Sequence, residues 1–266
     1  MRKLIFLFLV SFISYNSFAQ QTKNERRELR KQKVNALIKQ EEEGVIAFRK
    51  HTLYGLKFTN DGYGFFMEVG RGQSVNKALL FQLDFAERKN PKEDKQTNLS
   101  APSTPFIFGK INFFYPLKLG VQQQILLGNK TNKNGVSVTA NFGGGLSLGL
   151  LRPYMLDVLD TATGGRRFIK YESADSTLFT DDQTLKTLSV SGPRFGTGWN
   201  ALKLTPGAYA KAALRFDYGR FNEMVNALEV GLTAEYYSKK IPQLVFTKPK
   251  ALFINVYVAI MFGRRK

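Results

Sequence analysis

From Leu252 to Phe262 every even position is apolar: Leu252, Ile254, Val256, Val258, Ile260 and Phe262. The odd positions between them are mixed: Phe253, Asn255, Tyr257, Ala259 and Met261. Successive side chains of a strand point to opposite faces, so this segment has one hydrocarbon face and one semi-polar face. The pattern recurs upstream with charges on the second face. Tyr54, Leu56 and Phe58 alternate with Gly55, Lys57 and Thr59, and Asn60-Asp61-Gly62 supplies a tight hairpin turn. Tyr63, Phe65, Met67 and Val69 then oppose Glu68, and Leu79, Phe81, Leu83 and Phe85 oppose Gln82 and Asp84. Further strands are expected at 107–113, 117–127, 136–142, 146–158, 208–218 and 228–236. Tyr115-Pro116 is expected to turn the chain, and the glycines at 143–145 fit a turn better than a bend within one long strand.

Apolar outward rows with charged inward rows are what lipid outside and a packed lumen require. The fold expected is all-β: a transmembrane antiparallel up-and-down β-barrel of about ten strands. Eight strands follow if the seventh merges and the first is lost; twelve would need two more inside 159–204. Short connections then fall at the end of the barrel that holds the N-terminus. The connections 87–103, 128–134, 159–204 and 239–249 fall at the other end, and most are longer.

Residues 1–19 read as a secretory signal: Arg2 and Lys3, an apolar run too short to span a bilayer as a helix, then Ser17 and Ala19. Residues 20–50 form a charged arm, helical or disordered, with a thin stripe of Val34, Leu37 and Ile38. The barrel occupies 51–266. Export places it in a Gram-negative outer membrane, with arm and C-terminus periplasmic. The chain has 39 basic residues against 21 acidic ones, a net charge of +18, and removal of Arg2 and Lys3 lowers this by two. Export and the lack of a recognition motif argue against nucleic acid, so outer-membrane lipid and lipopolysaccharide phosphates are the better counter-charge. With no cysteine, disulfides, thiolate metal sites and a lipoprotein anchor are excluded.

The inward rows set Lys57, Lys110, Lys118, Lys211 and Arg215 against Glu68, Asp84, Asp217, Glu229 and Glu235. Buried charges must be paired, so these ten predict an ion-pair network across the lumen, and a free diffusion pore is disfavoured. Lys89, Lys92, Lys95, Lys130, Lys133, Arg166, Arg167 and Lys170 fall in the outer connections, together with Arg88, Lys239, Lys240, Lys248 and Lys250. They form a basic rim suited to anionic lipid or glycan. Within 159–204, Gly196, Gly198 and the only tryptophan, Trp199, suit either a lid over the mouth or part of an aromatic girdle. The only histidine, His51, sits at the start of the first strand, away from the long connections, and no Gly-x-Ser-x-Gly elbow is present. No catalytic residue, metal or cofactor is expected.

The alternating strands, with GKINFFYPLKLGVQQQILLGNKTNKNG and GWNALKLTPGAYAKAALRFDYG, resemble the small outer-membrane β-barrel proteins of Bacteroidota-type envelopes. The resemblance covers about Thr52 to Lys266 and implies a non-enzymatic barrel, structural or accessory to an envelope complex for secretion or barrel assembly. A gated small-solute channel and a surface protein binding anionic glycan or lipopolysaccharide are the alternatives. One departure is the tail: Gly263, Arg264, Arg265 and Lys266 follow Phe262, where many such proteins end on the aromatic residue. This leaves the assembly signal slightly internal or a basic tail free for a periplasmic contact.

Overall fold

The computed structural model describes residues 27–32, 34–35, 50–74, 76–97, 104–129, 135–159, 164–172, 176–181, 190–219 and 224–265. The expected signal lies outside these residues. Of the arm, 27–32 and 34–35 are helical.

Among the described residues that follow there are thirteen strands. They are β1 (Lys50–Thr59), β2 (Gly62–Ser74), β3 (Lys77–Arg88), β4 (Lys95–Gln96), β5 (Phe106–Ile107), β6 (Asn112–Gly128) and β7 (Ser137–Pro153). Then follow β8 (Met155–Leu159), β9 (Arg166–Lys170), β10 (Val190–Ser191), β11 (Lys203–Asp217), β12 (Met224–Ile241) and β13 (Lys250–Arg265). Eight of them close an antiparallel up-and-down barrel in the order β1-β13-β12-β11-β7-β6-β3-β2.

The barrel therefore has eight strands where the pattern suggested about ten. Tyr115-Pro116 does not turn the chain. Both residues lie inside β6, opposite Leu150 and Gly149 of β7. The missing N–H of Pro116 falls in a stretch of the β3–β6 ladder without rungs, between Phe85↔Leu117 and Arg88↔Phe114. The glycines at 143–145 also lie within one strand. They pair with Gln122, Val121 and Gly120 on one side and with Lys211, Ala210 and Tyr209 on the other. A Cβ at Gly144 would come 2.3 Å from the Tyr209 carbonyl oxygen, so glycine here permits close approach between strands.

Merging these strands moves one connection. The β6–β7 link now belongs to the end that carries the β2–β3 and β11–β12 links and both ends of the barrel chain. Lys130 and Lys133, expected in the outer rim, lie outside the described residues. The opposite end carries the β1–β2 turn and the connections 89–111, 154–202 and 242–249.

The alternation of each strand maps onto the two faces of the wall. On β13 the even residues are exposed, from Leu252 at 53% to Phe262 at 56%, while Asn255, Tyr257, Ala259 and Met261 are buried. Tyr54, Phe65, Phe81, Leu119, Phe142, Leu214 and Leu232 continue the exposed apolar surface across the other strands. Water does not favour a continuous hydrocarbon surface of this extent, so the exterior is that of a membrane-spanning barrel. Among the described residues no helix is long and apolar enough to cross a membrane.

Candidate functional site

Two features could carry function: the filled lumen and the structure built on the end with long connections. In the lumen, the Arg215 guanidinium donates from Nη1 and Nη2 to both Glu68 carboxylate oxygens at 2.7 Å, and from Nε to Glu229 at 2.9 Å. Lys211 Nζ is 2.7 Å from Glu229 Oε1, and Tyr257 and Asn141 donate to the same carboxylate at 2.6 and 2.9 Å. His51 Nε2 lies 3.4 Å from Glu68 Oε1. A second cluster runs from Lys57 through Asp84 to Lys118, then to Glu235 at 2.9 Å, Arg88, and Asp61 at 3.5 Å. Tyr237 donates to Glu235 at 2.9 Å. Gln82 lies between the clusters, accepting from Gln122 and Lys211.

Of the ten residues expected to form this network, nine point into the lumen. Asp217 sits at the end with the chain termini and pairs with Arg265 at 2.7 Å. That pair ties the tail into the wall, contrary to a free basic tail. Lys110 is the exception. It precedes β6 and pairs with Glu93 at 2.7 Å in the opposite end structure, because the expected strand 107–113 begins only at Asn112. Its place is taken by Arg88, which is expected in a connection and instead ends β3. Arg88 continues the inward step of two through Leu80, Gln82, Asp84 and Ala86, a signal that was available. Above the second cluster, Phe114, Leu151, Tyr237 and Ile241 pack with Phe253 and plug the lumen with rings.

The long connections form a folded cap. A three-stranded sheet, β10-β8-β9, packs Leu156, Val158, Ile169 and Val190 with Phe106, Ile107, Tyr154, Phe179 and Leu244. One core is thus drawn from three connections. Backbone bonds lace them: Ile111 N to Gln243 O at 2.8 Å, Val245 N to Gly109 O at 2.8 Å, and Gly192 N to Thr104 O at 3.1 Å. Tyr154 OH accepts from Ile107 N at 2.7 Å, and burial pushes its pKa up. Burial pulls the Lys110 ammonium pKa down, with Glu93 opposing.

The expected lid residues take a different position. Tyr115 points outward, and Trp199 stacks on it at 5.6 Å, so the loop folds down the outside wall rather than over the mouth. Gly198, at φ 89°, starts this turn against Pro153, while a Cβ added at Gly196 would meet nothing within 4 Å. Arg152, buried and outward, lies under the rings of Phe113 (4.1 Å), Trp199 (5.0 Å), Tyr115 (5.7 Å) and Phe195 (5.9 Å) and donates to Phe195 O at 2.7 Å. This is a girdle cluster that pins the loop. The rim residues are dispersed: Lys89 lies over the Tyr63 ring, Lys95 is in β4, and Arg166, Arg167 and Lys170 are on β9, with Arg166 on Asp157 at 3.0 Å. Lys92 lines a cleft with Lys248 and Lys250. Among the described residues no cluster of three or more histidine or acidic side chains could hold a metal.

No protein-family model matches the chain, and no curated protein matches it. Solved structures similar in fold include the N-terminal β-barrel domain of Pseudomonas aeruginosa OprF, at 8% identity and TM-score 0.34, covering 81% of this chain and 98% of that one. Neisserial surface protein A is similar at 11% identity and TM-score 0.37, covering 82% and 96%. Ail of Yersinia pestis, solved with the heparin analogue sucrose octasulfate, is similar at 9% identity and TM-score 0.34, covering 81% and 97%. At these values the likeness is one of barrel architecture.

Proposed function

We propose that the protein is a non-enzymatic outer-membrane barrel whose closed wall is an anchor and whose cap is a rigid docking surface. It would act as a structural or accessory subunit of an envelope complex, for secretion or outer-membrane protein assembly. The observation that carries this reading is the cap itself: three connections share one hydrophobic core, centred on Tyr154, Leu156 and Phe179. Long loops that fold in this way present a defined surface. Long connections are the outer loops in barrels of this architecture, which supports an outward cap and periplasmic chain termini.

The lumen supports an anchor over a channel, since paired charges fill it and the Phe114–Tyr237–Phe253 rings stopper one end. It also supports a non-enzymatic role: the carboxylate nearest His51 is held on both oxygens by Arg215 and is not free to act as a base. Envelope type, Bacteroidota by sequence resemblance, belongs to the same proposal. Affinity purification from detergent-solubilised membranes tests it, and a stoichiometric partner lost when the cap is disrupted is the expected result. Absence of any such partner counts against the subunit role. In planar bilayers the purified protein should show no steady conductance; a conductance that changes on deleting 165–200 would replace this reading with transport.

A further inference from the structure

We infer that the cleft between the β3–β6 and β12–β13 connections is a binding site for an anionic saccharide, one carrying phosphate or sulfate groups beside a sugar ring. The cleft is about 360 Å³, and three lysines, Lys92, Lys248 and Lys250, are among the residues that line it. No carboxylate is among its lining residues. Glu93, on the same connection as Lys92, is turned onto Lys110 at 2.7 Å instead. Three like charges around one concavity repel one another, and a multivalent anion relieves that repulsion while gaining charge-assisted hydrogen bonds.

The aromatic wall narrows the ligand class. Phe246 is 60% exposed, yet its ring is fixed, stacked on Phe108 at 5.3 Å and seated over Gly109. Gly109 has φ 67°, and a Cβ there would come 2.7 Å from the Phe246 ring, so glycine is needed both for the turn and for the seat. A ring held by these contacts yet largely exposed, beside lysines and the Asn90 and Gln243 side chains, fits the apolar face of a pyranose next to its anionic substituent. The walls are also preorganised. Asn90 Nδ2 donates to Thr247 Oγ1 at 3.4 Å across the cleft, and the Lys92 N–H donates to Asn90 Oδ1 at 3.0 Å. Lys250 begins β13 just beyond the lipid-facing Leu252, so the cleft opens at headgroup level. The saccharide can therefore belong to an outer-leaflet glycolipid or to a soluble polysaccharide.

This inference rests on the proposal that the cap faces outward, and its test separates the two. Purified full-length protein in detergent is titrated with heparin, and protein in nanodiscs with a bisphosphorylated diglucosamine lipid. Binding to either probe supports the site, and the stronger arm identifies the source. Lys248→Gln/Lys250→Gln should weaken binding about tenfold or more and flatten its salt dependence. Lys170→Gln/Arg194→Gln, the same charge change elsewhere on the cap, should alter it less than about twofold. Phe246→Ala should weaken saccharide binding about threefold or more and leave pyrophosphate binding unchanged. Equal losses in both double variants, or no binding of either probe by the wild type, overturn the site. Thiol labelling of Thr180→Cys, an exposed cap position outside the cleft, on intact cells reads orientation separately: an unlabelled cysteine in a protein that still binds the probes overturns the outward placement and leaves the site standing.

Discussion

Arg215 shows why single side chains matter inside this wall. Its guanidinium satisfies two carboxylates at once, Glu68 and Glu229, and all three side chains are buried. Removing the cation strands Glu68 in a low-dielectric lumen and leaves Glu229 to Lys211, which is far more harmful than never having had the pair. Arg215→Met should destabilise the folded barrel by about 3–5 kcal/mol, read from urea unfolding in phospholipid vesicles. Adding Glu68→Leu to that variant should recover part of the loss, since Glu229 keeps Lys211 as its counter-charge. A single-variant loss under about 1 kcal/mol would mean the network is bathed in water. Arg152 is the outward counterpart, a buried cation under four rings with a backbone carbonyl as its acceptor. Because Trp199 is the only tryptophan, its fluorescence reports this cluster alone. Arg152→Met removes the donor to Phe195 O and the charge beneath the rings, an attraction of about 0.5–2 kcal/mol. The expected result is red-shifted emission with faster acrylamide quenching; unchanged emission would show that the loop is held by something else.

The cap is the element whose stability should answer to pH. Burial holds the Lys110 pKa below the ordinary lysine value of 10.5, so at neutral pH its charge opposes cap folding. Between the depressed value and 10.5 the unfolded cap binds more protons, and stability rises with pH. Tyr154 acts the other way, since burial raises its pKa above the ordinary 10.0 and the unfolded cap loses the phenolic proton first. Cap stability should therefore climb to a maximum at about pH 10 and fall beyond it, followed by urea titration of a fluorophore on a single cysteine placed at Thr180, beside the core residue Phe179. Lys110→Met should abolish the climb, and a flat wild-type profile would contradict the burial of both groups. Elements like this cap were not legible in the chain. Strands of two to five residues, such as β10 and β8, are too short to show a period, and these two pair with each other across some thirty residues. The wall strands were legible because each alternates for ten residues or more. Where the strand count failed, at Pro116 and at 143–145, residues that usually end strands were used within them. One lies at a gap in the ladder and the others at a close approach between strands, and both are facts about neighbours in the sheet.

For the whole molecule, the surroundings of the wall decide the reading. A cylinder with lysine, arginine and carboxylate pairs inside and Leu, Ile, Val and Phe outside inverts the arrangement of a water-soluble barrel. Charge pairs stay buried because the strands close on themselves, leaving no backbone edge to satisfy in lipid. Val258 tests this directly, since it lies near the middle of the outward row Leu252–Phe262, beside Phe58 and Val230. Val258→Arg should destabilise the bilayer-folded protein by about 2–4 kcal/mol, whereas Leu252→Arg, near the cap, should lose only about 0–1 kcal/mol. The gradient carries the weight of the test. An arginine near the interface reaches headgroup phosphates, while one at mid-depth must drag water and headgroups toward it. In a barrel surrounded by water the two substitutions would be equally mild, because solvent would wet both positions. A flat profile in vesicles, with the barrel still folded, would remove the membrane from the argument and leave the paired lumen unexplained.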